Sequence, residues 1–224
     1  MPNARQLVEQ IRSDLKPLEE SVLFHPYLSA LEAGQVQRET LKMFAGQQYH
    51  IISSDLRSIA LSVSRHGTLP SRTFLMNVLR GEAAALDRLQ SFARALGVSV
   101  GDLEGFEPLP AAHAYCAFVA WLALYGSDAE LAGAFLVNFA AWGANCARVS
   151  KGLREKYGFA EADVAFFDFF AQLHAREEEA LAVIQGGLER GIAPALIQRA
   201  ARMLQRYELM YWDAIAEAGG IGAD

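Results

Sequence analysis

The stretch RYELMYW, residues 206–212, sets one carboxylate, Glu208, among three aromatic rings and two long apolar side chains. A carboxylate in such company is either a rim residue facing water or a pocket residue tuned by its surroundings for proton transfer. Amides mark a second stretch. In FLVNFAAWGAN, Asn138, Trp142 and Asn145 fall at i, i+4 and i+7 and share one helix face. Buried amides need partners, which either a neighbouring helix or a ligand inside a bundle supplies. In PAAHAYCAF, His113 and Tyr115 either point an imidazole and a phenol into one cavity or sit at a rim. Cys116 and Cys146 have no neighbour that clearly lowers a thiol pKa and read as small buried residues. Glu82 in LRGEAAALDRL, with His174 and Glu178 in QLHAREEEAL, is the set with plausible metal spacing, since His174 and Glu178 lie one helical turn apart. That set is incomplete for two metals. The alternative is that Glu177 to Glu179 form a solvated face and His174 packs.

The elements that must position these residues are helices. Seven prolines, at 2, 17, 26, 70, 108, 110 and 194, leave long segments with helical apolar spacing and no convincing strand. The pattern predicts helices over 3–20, 38–65, 71–96, 110–125, 128–157, 161–188 and 193–217, and a short helical turn after Pro26. Ser127 with Glu130 fits a capping box, and Gly158 and Gly191 suit helix ends. Segments 110–125 and 128–146 are apolar on nearly every face, which puts them at the centre of a bundle. The 224 residues are expected to form one domain, 1–224, with 52% hydrophobic and 21% charged residues and no disorder-prone tract.

A net charge of −6 leaves no basic stripe to neutralise phosphates, so no nucleic-acid partner is expected. Two separate cysteines without CxxC spacing suit a reducing compartment. The first 20 residues contain no apolar signal region, and the longest apolar runs are shorter than the roughly 20 residues of a membrane span. The expectation is a cytoplasmic protein with no membrane partner. Phosphate-loop, GxSxG, HExxH and EF-hand patterns are absent.

Taken together, FHPYLSALEAGQVQRETLKMFAGQQYHIISSDLRS (24–58), FEPLPAAHAYCAF (106–118), YGSDAEL (125–131) and RYELMYW resemble the TenA/thiaminase-2 and PqqC-like family. The resemblance implies an all-α, haem-oxygenase-like helical bundle and homo-oligomerisation. It implies Glu208 as the active-site acid/base, with Gln48, Tyr115, Asn138, Trp142 and Tyr207 binding a small nitrogen heterocycle related to thiamine or pyrimidine. The implied reaction is hydrolysis of a C–N bond without a cofactor. Departures change the chemistry: the family's nucleophilic cysteine falls at Asn138, its pyrimidine-binding aspartate at Gln48, and a pocket tyrosine at Ile51. An amide cannot act as the nucleophile. Cys146 lies eight residues on, about 12 Å along a helix. Water activated by Glu208 must then replace a covalent step.

A second branch of this fold holds two irons through Glu-x6-His and His-x3-Asp-x2-His motifs. Here the corresponding residues are Glu82 with Leu89, then His174, Glu178 and Leu181. Iron is therefore the alternative cofactor, held by Glu82, His174 and Glu178 in a reduced oxidase or oxygenase site. A third reading is a non-catalytic ligand-binding relative.

Overall fold

The first helix begins where the sequence caps it. The Asn3 side chain accepts from the Gln6 amide, the Gln6 side chain accepts from the Asn3 amide, and α1 (Ala4–Leu23) follows. The computed structural model describes residues 3–68, 70–172 and 176–222. In chain order come α2 (Pro26–Glu32), α3 (Arg38–Arg65), α4 (Ser71–Ala95), α5 (Val100–Gly105), α6 (Pro110–Tyr125), α7 (Asp128–Tyr157), α8 (Ala165–Ala171), α9 (Glu177–Glu189) and α10 (Pro194–Ala218). No strand occurs among the described residues.

Helix α7 is the axis. Its Ser127–Glu130 capping box forms as expected, and Gly158, at φ 72°, supplies the left-handed residue that ends it. Helices α10, α9, α8, α2 and α1 all pack against it. Around one part of α7 lies an aromatic cluster in which Phe44, Trp142, Tyr211 and Trp212 meet Phe167 and Phe170 of α8. Around another part lies an aliphatic cluster of Leu136, Ile184, Ile197 and Leu204 with α1 residues Leu7 and Ile11.

Three local expectations are corrected. The segment expected as one helix over 161–188 contains α8 and α9, separated at Gln172 and at Arg176, whose ψ of 64° is not helical. Its two parts serve different cores: α8 feeds rings to the aromatic cluster, whereas α9 packs Leu181, Val183 and Ile184 into the aliphatic one. Helix α5 was not expected; Ser99 and Asp102 form a capping box for six residues too few to show periodicity. Helix α6 is not enclosed on all faces, since Trp121, Leu124 and Tyr125 are exposed. No helix among the described residues is long and apolar enough to cross a membrane.

Candidate functional site

A cavity opens where α3, α4, α6, α7, α8 and α10 converge. Helix α3 contributes Gln48, Ile51, Ile52 and Asp55, which at i, i+3, i+4 and i+7 form one stripe. Helix α4 adds Glu82 and α6 adds Tyr115. The α7 wall is Asn138, Phe139 and Trp142, closed by Phe170 and by Glu208 and Tyr211 of α10. Gly143 permits the close approach of α8: a Cβ there would stand 2.9 Å from the Phe170 carbonyl oxygen.

Glu208 is 2% exposed, and both of its oxygens are held. The Trp212 indole, one turn along α10, donates to Oε1 at 3.3 Å, and the Asn138 amide donates to Oε2. The Tyr115 hydroxyl in turn donates to Asn138 Oδ1 at 2.8 Å, so phenol, amide and carboxyl form one chain across three helices. Burial pushes the Glu208 carboxyl up to about 8, although the Trp212 and Asn138 bonds act in the opposite sense. Burial, together with the nearby Asp55, Glu208 and Glu82, raises the Tyr115 phenol well above its ordinary range. The Tyr211 hydroxyl lies beside Gln48 without a hydrogen bond of full geometry.

The α3–α4 wall differs. Asp55 is 4% exposed, and its Oδ1 is buried with no hydrogen-bond partner. Burial first, and Glu82 second, raises its carboxyl well above the usual range. Burial also pushes Glu82 up to about 7. No Lys, Arg or His is among the described residues lining the cavity.

The structure brings Gln48, Tyr115, Asn138, Trp142 and Glu208 together. It does not bring Tyr207, which is half-buried against the Phe118 ring at 5.3 Å between centroids. One residue from Glu208, it is turned about 100° around the helix, whereas Tyr211, three residues on, shares the inner face. Asp55 escaped the sequence reading; its place seven residues after Gln48, on the stripe of Ile51 and Ile52, was the available signal. Asn145 bonds the Val22 carbonyl at 3.2 Å and joins helices instead of facing the cavity. Both thiols are buried and free. Burial pushes Cys116 up to about 12 despite His113 at 3.4 Å, and Cys146 is likewise raised by burial, which disfavours a nucleophilic thiolate.

Of the alternative iron ligands, the two described, Glu82 and Glu178, do not face one site. Glu82 lines the cavity, but the Glu178 side chain is 82% exposed and pairs with Arg5 at 2.7 Å. Its neighbours Glu177 and Glu179 are tied to Arg12 and Arg176. His174 lies outside the described residues, and Leu89 and Leu181 are buried apolar residues of the core. No group of three His, Cys, Asp or Glu among the described residues could hold a metal. The described residues, with Leu89 and Leu181 apolar and Glu178 on the surface, do not fit the di-iron pattern.

An all-α, haem-oxygenase-like bundle with an acid-lined central cavity is thus the class defined by fold and site. Residues 12–218 match the family model described as TENA/THI-4/PQQC family, and the chain belongs to that family. It is 31% identical over 171 residues to a 4-aminobenzoate synthase of Chlamydia muridarum, covering 71% of each chain. It is 25% identical over 122 residues to an aminopyrimidine aminohydrolase of Halalkalibacterium halodurans, covering 54% of each. Among solved structures, a TenA homologue from Pseudomonas syringae superposes with a TM-score of 0.80 at 19% identity, covering 96% of both chains. Haem oxygenase-1 of Synechocystis superposes at 0.69 and 14% identity, covering 96% of this chain and 92% of the other. These last two likenesses are of fold.

Proposed function

We propose that the cavity binds a small amino-substituted nitrogen heterocycle, related to pyrimidine or thiamine, and that the protein hydrolyses a C–N bond of it without a cofactor. The observation that carries this reading is Glu208, buried, lining the cavity and anchored through both oxygens. With its carboxyl raised to about 8, it is largely protonated at neutral pH. Protonated Glu208 gives its proton to the departing nitrogen. The resulting carboxylate takes a proton from the water that attacks carbon, which returns the acid and yields an alcohol and an amine. Asn138 orients the carboxyl and Tyr115 orients Asn138. Trp142 and Phe139 supply flat apolar walls, and Gln48 supplies an amide for ring nitrogens or amino groups.

The two relatives' names both concern a six-membered ring bearing an amino group. A free aminobenzoate is an anion, and a chamber with apolar walls and no described cation to pair with it disfavours it. The neutral or cationic heterocycle is therefore the better occupant. The protein is proposed to work as a homo-oligomer in the cytoplasm, without nucleic-acid or membrane partners. Light scattering on the purified protein checks its assembly.

The test is calorimetric titration with 4-aminopyrimidine and with 4-aminobenzoate. The reading expects the heterocycle to bind and Glu208→Gln to weaken it. Tighter binding of the benzoate, or heterocycle binding that ignores Glu208→Gln, overturns the reading. If binding occurs with no turnover of any C–N-linked derivative, the protein is a ligand-binding relative and not a hydrolase.

A further inference from the structure

Beyond Glu208, the cavity holds two acids for which hydrolysis has no use. Asp55, from α3, and Glu82, from α4, face the same chamber, walled by Ile51, Ile52, Phe139 and Phe170. Asp55 carries the anomaly: it is more than nine-tenths buried, and one oxygen has no hydrogen-bond partner. Leaving such an oxygen unsatisfied is costly, more so if it is ionised, so a chain that retains it must gain elsewhere. Two neighbouring carboxyls do not readily both ionise in an apolar wall, so at least one of them holds a proton until a cation arrives. The other titratable groups turned toward Asp55 are Tyr115 and Cys116 of α6, neither of which is a cation. A second hollow reaches Glu82 from the side of Phe74, Asn77 and Val78. Arg176, which lines that hollow, is bonded to Glu179 at 3.0 Å.

We propose that Asp55 and Glu82 form an ammonium-binding subsite, which takes a protonated amino or aminoalkyl group of the ligand while Glu208 meets the reacting nitrogen. This rests on the heterocycle reading above and narrows it to ligands that carry a cationic nitrogen besides the ring. An ammonium group suits the pair better than a divalent metal does. Its three N–H donors match carboxylate oxygens, whereas a metal wants more oxygen or nitrogen ligands than two carboxylates and aliphatic walls provide.

The experiment compares benzylamine with benzyl alcohol, rings of one shape that differ in the cation, by calorimetric titration at pH 7.5. It uses the wild-type chain, Asp55→Asn and Glu82→Gln, with 4-aminopyrimidine titrated in parallel. The wild type prefers benzylamine by about tenfold or more, as expected for charge-assisted bonds. Each variant loses that preference and keeps its affinity for 4-aminopyrimidine. Two isosteric variants guard against one failing to fold, and retained 4-aminopyrimidine binding reports an intact cavity. A wild type indifferent to the charge, or variants that still prefer the amine, overturn the subsite. Manganous ion that binds the wild type and not Asp55→Asn, without amine preference, also overturns it, in favour of a metal. Loss of 4-aminopyrimidine binding by the wild type instead sinks the heterocycle reading, a different result from failure of the subsite.

Discussion

Two walls of one cavity treat their acids in opposite ways. On the α10 wall, Glu208 is bonded through both oxygens, by Trp212 on its own helix and by Asn138 on α7, with Tyr115 behind the amide. On the α3–α4 wall, Asp55 keeps a bare oxygen beside Glu82. Anchoring fixes a carboxyl at one position, while burial gives it the protonated state that the reaction needs. A bare carboxyl instead lowers stability until a partner enters, which is the pattern of a binding group. The anchored wall is therefore read as the reacting one and the bare wall as the holding one.

The sharpest break in that contrast is Glu208→Gln. Turnover of the C–N-linked substrate is expected to fall by roughly 10²- to 10⁴-fold, measured as kcat, because the acid/base group is gone while its shape remains. Next in size, mutations on the two walls should change unfolding free energy with opposite signs. Asn138→Leu strands the Glu208 carboxyl and the Tyr115 hydroxyl and is expected to cost about 1–3 kcal/mol in urea unfolding. Asp55→Leu removes a stranded oxygen and is expected to raise stability in the absence of ligand. A loss of stability on both walls would erase the contrast.

The pH dependence of stability sharpens it further. Glu82 and Glu208 leave their ordinary value of 4.5 for about 7 and about 8 in the folded chain. Between those limits the folded chain binds more protons than the unfolded one, so these two carboxyls make stability decline as pH rises from about 4.5 to about 8, and Asp55, raised in the same sense, adds to the decline. Thermal unfolding across this range is expected to show that decline, and Glu208→Gln to make it shallower. The smallest effect is that of Tyr115→Phe, which removes one hydroxyl bond to Asn138. A loss of about 1 kcal/mol in stability is expected, with a modest fall in kcat and little change in ligand affinity.

The helices were legible wherever apolar spacing ran long enough to be periodic: α3, α6 and α7 begin and end at their expected limits, with Pro110 opening α6 and the Ser127–Glu130 box and Gly158 bounding α7. The break between α8 and α9 was not, because both parts are apolar and only the two separate cores that they feed distinguish them. At the site, Asn138 and Glu208 stood out as polar residues in apolar company. Asp55 did not, because SSDLRS is polar around it and only its register with Gln48 turns it inward. Tyr207 was misplaced for the converse reason: adjacency to Glu208 in sequence is not adjacency on a helix face. The exposure of Trp121 and Tyr125 was hidden because an apolar run does not say which of its faces the fold will cover.

The most direct trial of the two-walled cavity is a crystal structure of the chain soaked with 4-aminopyrimidine. The account predicts the ring inside the chamber beside Trp142, with a ring or amino nitrogen within hydrogen-bond distance of the Glu208 carboxyl. A ring bound outside the chamber, or inside it with Glu208 out of reach, would contradict the account.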